Sequence, residues 1–189
     1  MVDRDKERIV WIDVETTGID SSKEKLLQVA CIVTDGNLNE LDKGFEKKIY
    51  YDLPTVREMR SKADPFVQKM HDNNGLWEAL PSGANMITVS EELLEYIKQY
   101  VPEAKKARLG GNSITLDRNF LKFNMPDVLD YLHYRSYDLS SIAGFFELFV
   151  KTVDPFEKQK THDALDDIKE SIAEGRYYAD LLENGYPPF

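Results

Sequence analysis

With 189 residues, 42% of them hydrophobic and 31% charged, the chain is long enough for one domain spanning residues 1–189 and too short for two. No apolar run approaches the roughly 18–20 residues of a membrane span, so no membrane association is expected. The formal charge of −10 argues against a basic face that grips long duplex nucleic acid, but it leaves room for an acidic pocket filled by metal ions.

The charged opening, MVDRDKER, lacks the apolar run of a signal peptide. Cytoplasm is therefore the expected compartment, or a mitochondrion if a targeting segment has been removed. Residues 8–15 (RIVWIDVE) and 25–35 (KLLQVACIVTD) are rich in β-branched side chains and read as strands. Cys31, the one cysteine, sits in the second and is expected to be a small buried core residue in a reducing compartment. Gly36-Asn37 predicts a tight connection to a third strand, about 38–50, completing an antiparallel meander. Helical and irregular chain follows over about 54–80, carrying Pro54, Pro65 and Pro81. Ser90, followed by Glu91 and Glu92, predicts the start of a helix with Leu93, Leu94, Ile97 and Val101 on one face and Pro102 at its end. A strand over about 107–111 leads into a helix over about 115–124. A strand near 134–138 feeds a helix over about 140–150, and the last helix runs from about 163 to 183. A meander followed by strand–helix pairs predicts an α/β sheet with one antiparallel strand among mostly parallel ones. In such sheets, sites gather at the carboxyl ends of neighbouring strands.

That expectation draws attention to VWIDVETTGID, residues 10–20. Asp13 and Glu15 are two residues apart in an apolar strand, so they project from the same face. Two ionised carboxylates about 4 Å apart repel by roughly 4 kcal/mol at an effective dielectric near 20. A shared proton, a basic neighbour or a bound cation would relieve this, and oxygen-only ligands favour a hard ion such as Mg²⁺ or Mn²⁺. Alone, an Asp-x-Glu pair also fits a solvated strand edge. Two further acidic points occur downstream. Asp117 lies in GNSITLDRNFL, where a carboxylate in a first helical turn is favoured by the macrodipole in any case. KTHDALDDIKES crowds His162, Asp163, Asp166 and Asp167 at the opening of the last helix, and spacing leaves open whether Asp166 or Asp167 turns inward.

Asp-x-Glu-x-Thr-Gly early, Asn-Ser-x-x-x-Asp in the middle and His-x-Ala-x-x-Asp late resemble the three motifs of the DEDDh exonuclease family, over residues 9–178. The resemblance implies a ribonuclease H-like α/β fold, a mixed five-stranded sheet flanked by helices. It implies that Asp13, Glu15, Asp117 and Asp167 hold two divalent ions, Mg²⁺ or Mn²⁺, and that His162 is the general base. The resemblance, and not the spacing, selects Asp167 over Asp166. The implied reaction is hydrolytic release of nucleoside 5′-monophosphates from a 3′ end.

One branch of the family is a closer match, the short enzymes that finish RNA decay by cutting fragments of two to five nucleotides, dinucleotides above all. IVWIDVETTGID, LGGNSITLDRNFL, MPDVLDYLHYRSYDLSSI and THDALDDIKES carry that likeness, YLHYRSYDLSS being the most discriminating block. It implies that Ile19 wedges between two bases, that Ser113 and Ser140 bind the substrate's 5′ phosphate and that His71 contacts substrate. Tyr134 and Arg135 are implied to reach the neighbouring protomer's site, hence a homodimer. Phe66 stands where the branch typically has a base-stacking tryptophan, and Thr16 where bacterial members often have methionine. Phe66 also fits a core position, and Trp11 and Trp77 are expected to be core. The alternative within the family is an exonuclease on longer single strands, of the ribonuclease T-like or proofreading kind. The few basic pairs, Lys47-Lys48 and Lys105-Lys106, speak against a long RNA track.

Overall fold

The computed structural model describes residues 3–150, 154–158 and 163–184. Its five strands are β1 (Arg8–Thr16), β2 (Leu26–Asp35), β3 (Phe45–Lys48), β4 (Arg108–Gly111) and β5 (Ser136–Asp138). They form one sheet in the order β3-β2-β1-β4-β5. β2 runs antiparallel to both β1 and β3, while β4 and β5 run parallel to β1. The single reversed strand is the one expected from a meander followed by strand–helix pairs.

The helices are α1 (Leu53–Lys62), α2 (Pro65–Asn73), α3 (Leu76–Ala79), α4 (Met86–Tyr100), α5 (Thr115–Asn124), α6 (Pro126–Tyr131), α7 (Leu139–Phe149) and α8 (Ala164–Asn184). Alternation along β1 divides them between the two sheet faces. Val10, Ile12 and Val14 pack with Val89, Leu93 and Ile97 of α4, Phe120 and Leu121 of α5, and Val128 of α6. Trp11 points the other way, onto Ala164, Ile168 and Ile172 of α8, and its indole N–H donates to Thr34 Oγ1 at 3.0 Å. Asp13 and Glu15 share the parity of Trp11, which turns them toward the α8 side. A smaller cluster seats α1–α3 against Leu27 through Val56, Leu76, Trp77 and Leu80. Both tryptophans and Cys31 are buried, as their apolar contexts predicted.

Three boundaries differ from the sequence reading. The third strand shortens from about 38–50 to Phe45–Lys48. The Asp35 carboxylate accepts from the backbone N–H groups of Asn37 and Asn39, and Leu38 takes a left-handed φ of 65°. The chain therefore coils after its turn, touches β2 through a single Thr34–Glu40 bridge, and resumes a strand only beyond Gly44, whose φ of 90° favours glycine. Helix α4 starts at Met86, because Asn85 caps it by accepting from the Ile87 N–H at 2.9 Å, and Ser90 lies inside it. The short helix α6 was not expected; Pro126 at its first turn supplies the preset φ of a helix start.

Candidate active site

Strand β1 outruns its parallel neighbour. β4 pairs with Ile9, Val10 and Trp11 and then ends, while β1 continues to Thr16. Asp117, in the first turn of α5, fills the space beyond: its Oδ1 accepts from the Val14 N–H at 3.1 Å. The same backbone segment thus carries Asp13 and Glu15 on its side chains and binds Asp117 through its peptide group. From the opposite face, the first turn of α8 brings in Asp167. Ligand oxygens of Asp13, Glu15 and Asp167 lie within 4.8 Å of one another. Asp166 is exposed and pairs with Lys169 at 3.1 Å, so it is Asp167 that turns inward.

The carboxylates burden one another. Burial, then the charges of Asp117, Glu15, Asp167 and Asp163, hold the Asp13 carboxyl well above the usual range. Burial and the charges of Asp167, Asp163 and Asp117 push Glu15 up to about 8. Burial raises Asp117 to about 7, against the opposing backbone hydrogen bonds from Val14 and its own residue, with Asp138 adding to the rise. Such a cluster either takes up protons or takes up a cation. An all-oxygen donor set of this density suits a hard divalent ion, and the residues present fit such a group. Asp163 and Asp138 thus belong to the site's electrostatics, the latter a contribution that no sequence motif flagged.

The turn after Glu15 is cross-tied. Thr16 Oγ1 donates to the Gly18 carbonyl at 2.8 Å, and Thr17 is bonded to Lys25 in both directions, through its N–H at 3.0 Å and its Oγ1 at 2.9 Å. The Glu24 side chain lies against Gly18, 3.0 Å from where a Cβ would stand. The turn presents Ile19 with 86% of its surface exposed. Phe66, at the start of α2, is 66% exposed and is not a core residue. His71 is different. It is fully buried, with Nε2 at 2.9 Å from the Thr16 carbonyl and Nδ1 at 3.9 Å from Glu15 Oε2, its ring edge-on to Trp77. In this conformation it braces the carboxylate strand from behind and offers no surface to a substrate.

Ser113 and Ser140 come together at the N-terminus of α7, their hydroxyl oxygens 3.1 Å apart. The Asp138 carboxylate caps this helix, accepting from the N–H groups of Ser113 and Ser140, each at 3.1 Å. The Ser140 hydroxyl donates inward to Asn112 Oδ1 at 3.0 Å, so in the contact between the two serines it is the Ser113 hydroxyl that donates. Ser113 holds a left-handed φ of 50°, an uncommon conformation for a serine and a frequent mark of functional loops. Tyr134 is 71% exposed, with Arg135 stacked over its ring at 5.3 Å and His133 on it at 4.5 Å. His162, the expected general base, lies outside the described residues.

A mixed sheet with one reversed strand carries a part-buried acidic cluster at the carboxyl end of its central strand, an arrangement that suits an exonuclease. The RNase_T exonuclease family model matches residues 10–174, and the chain belongs to that family. Within it, the chain belongs with the oligoribonucleases. That of Cutibacterium acnes is 40% identical over 177 residues, covering 92% of this chain and 85% of the relative. That of Haemophilus influenzae is 38% identical, covering 92% and 94%. The probable oligoribonuclease of Schizosaccharomyces pombe is 36% identical, covering 92% and 68%. Among solved structures, Exonuclease I from Methylocaldum szegediense superposes with a TM-score of 0.69 at 14% identity, covering 92% of this chain and 40% of that one. E. coli Exonuclease I in complex with a 5cy-dT13 oligonucleotide gives 0.67 at 15%, covering 94% and 41%. At such identities the likeness is one of fold, and this chain corresponds to less than half of those enzymes.

Proposed function

We propose that the protein is a 3′-to-5′ exoribonuclease that degrades RNA of two to five nucleotides, dinucleotides above all, to nucleoside 5′-monophosphates. The observation that carries the reading is the convergence of Asp13, Glu15 and Asp167 within 4.8 Å beside Asp117. These four carboxylates would hold two divalent ions, Mg²⁺ or Mn²⁺, which when bound polarise the scissile phosphate and activate water. His162 takes the water's proton, a role suited to an imidazole whose unperturbed pKa lies near 6.5.

The substrate's length is read by the protein's own surface. Ile19 and Phe66 are large apolar side chains left exposed, and they are assigned the stacking of the substrate's bases. Ser113 and Ser140 sit at a helix N-terminus, where backbone dipoles favour an anion, and are assigned the 5′ phosphate. Closure of that end leaves a longer strand without an exit.

A homodimer is part of the same reading. Tyr134 and Arg135 are both exposed and so accessible to a second copy. Phe145, Leu148 and Phe149 form an exposed apolar strip on α7, with the two phenylalanine rings 4.9 Å apart, and a second copy is the partner that suits it. No helix among the described residues is long and apolar enough to cross a membrane. Cytoplasm is the proposed compartment, with a mitochondrion as the other.

Incubation with Mg²⁺ or Mn²⁺, a 5′-phosphorylated dinucleotide and a 20-mer RNA tests the proposal, with Asp13→Ala as control. The dinucleotide should disappear far faster than the 20-mer, and the variant should be nearly inert. Equal rates on both substrates would overturn the length preference.

A further inference from the structure

Behind the serine pair lies a part-buried chain of hydrogen bonds that runs from the Asn of the middle motif to helix α8. Asn112 is its hub. Its amide nitrogen donates to Glu174 Oε2 at 2.8 Å and to Ser171 Oγ at 2.9 Å, and its Oδ1 accepts from Ser140 at 3.0 Å. Ser171 in turn donates to the backbone carbonyl of Asp167 at 2.9 Å. Asp167, Ser171 and Glu174 recur at helical spacing and share one face of α8. The Glu174 side chain is almost wholly buried, and Lys158 meets its Oε2 at 2.7 Å. The chain segment bearing Lys158 is further tied to α8 by the Tyr177 hydroxyl, which donates to the Asp154 carbonyl at 2.7 Å.

The direction of every bond in this chain follows from one group. A carboxylate only accepts, so Glu174 forces the Asn112 NH₂ toward itself and Ser171. Oδ1 must then face Ser140, which commits the Ser140 proton inward and makes the Ser140 oxygen an acceptor for the Ser113 N–H, at 3.0 Å. The Ser113 hydroxyl is thereby made the donor of its 3.1 Å contact with Ser140 Oγ, and its one proton is the one that can turn from there to a phosphate. Reversing the Asn112 amide would reverse this order.

We propose that Glu174, paired with Lys158, is a positioning residue that sets the hydrogen-bond polarity of the Ser113–Ser140 pocket and ties that pocket to Asp167. Recognition of the 5′ phosphate and placement of a metal-binding carboxylate are thus linked through Asn112 and Ser171. The inference rests on the reading of Ser113 and Ser140 as the phosphate pocket.

The test compares kcat/KM on a 5′-phosphorylated dinucleotide with that on its 5′-hydroxyl counterpart, for Glu174→Gln, Lys158→Met, Lys158→Arg and Ser140→Ala. A glutamine can donate to Asn112 Oδ1 and so permits the amide to turn over. Glu174→Gln and Lys158→Met should lower the preference for the phosphorylated substrate by about tenfold, the scale of a hydrogen bond to a charged group. Lys158→Arg should restore it. Combining Lys158→Met with Ser140→Ala should cost less than the product of the two single losses. If Ser140→Ala removes the preference while Glu174→Gln and Lys158→Met slow both substrates equally, Glu174 is merely structural and the inference fails with the pocket intact. If Ser140→Ala leaves the preference unchanged, the phosphate pocket itself is wrong and the inference falls with it. Thermal unfolding confirms that each variant is folded; Lys158, less buried than Glu174, supplies the readout if Glu174→Gln unfolds.

Discussion

Asp117 accepts a hydrogen bond from the backbone N–H of Val14 across 103 positions of sequence, and so joins helix α5 to the strand that carries Asp13 and Glu15. That side chain supports the strand edge, and the proposed function gives it a second task as a cation ligand. The tasks can be separated. Asp117→Asn keeps an acceptor for Val14 while removing a charge, so the fold should hold and the ion-free protein should melt no lower than the parent. Asp117→Ala loses both and should melt lower than Asp117→Asn, by an amount on the order of the 1–3 kcal/mol of a buried donor left unpaired. Both should lose more than the roughly 10–100-fold in activity typical of residues that merely stand behind metal ligands. Scanning calorimetry and monophosphate release measure the two effects, and an active Asp117→Asn would remove Asp117 from the metal site.

The acidic cluster makes stability depend on pH in an unusual direction. Glu15, pushed up to about 8, and Asp117, up to about 7, bind protons in the folded state that they release when unfolded. Below their ordinary carboxylate values, both states are protonated and nothing is lost. As pH rises toward 8, the unfolded chain binds fewer protons than the folded one, so the slope of stability with pH is negative. Chelator-treated protein should therefore lose stability between about pH 5 and pH 8, on the order of a few kcal/mol. Millimolar Mg²⁺ or Mn²⁺ should flatten or invert that trend, because the ion binds deprotonated carboxylates and stabilises the fold by mass action. A chelated protein equally stable at both ends of the range would contradict the close packing of these groups.

The exposed apolar residues flanking the site predict graded effects on binding. Phe66→Ala should raise KM for a dinucleotide by roughly 5–150-fold, the equivalent of about 1–3 kcal/mol of base stacking. Phe66→Trp should lower it, since an indole covers more of a base. Ile19→Ala should act on KM in the same sense as Phe66→Ala. His71→Ala belongs to another class: buried against Thr16 and Glu15, it should lower kcat and thermal stability together. Steady-state kinetics on one dinucleotide separates the cases.

Mixing experiments probe the second copy. If Arg135 serves the partner's site, Arg135→Ala and Asp13→Ala are each impaired alone, yet a mixed dimer has one site with its own carboxylates and a partner arginine. Co-refolding equal amounts should restore about a quarter of the parent activity, as random pairing in a twofold dimer requires. No recovery in a sample shown to contain mixed dimers would place Arg135 outside the neighbouring site.

The periodicities that the sequence carries are those that local physics writes. Alternation in RIVWIDVET marked β1 and put Asp13 and Glu15 on one face, because a pleated strand has no other option. The helix over Thr115–Asn124 was legible from its pattern, as was the antiparallel placing of β2. Boundaries set by a single cap were not: Asn85 opens α4 five residues ahead of the Ser-Glu-Glu signal. Nor could spacing choose between Asp166 and Asp167. That choice depends on how α8 is rotated against Trp11, Ala30 and Ile32, a matter of packing. The same holds for His71, whose position beneath Glu15 follows from the seating of α2 and α3 against Leu27, with Trp77 of α3 edge-on to its ring. The sequence by itself determined which residues could bear charge and on which face of each element. Only the tertiary structure decided which of them meet, because contact across 50 to 150 positions depends on how helices and sheet pack, and not on any local period.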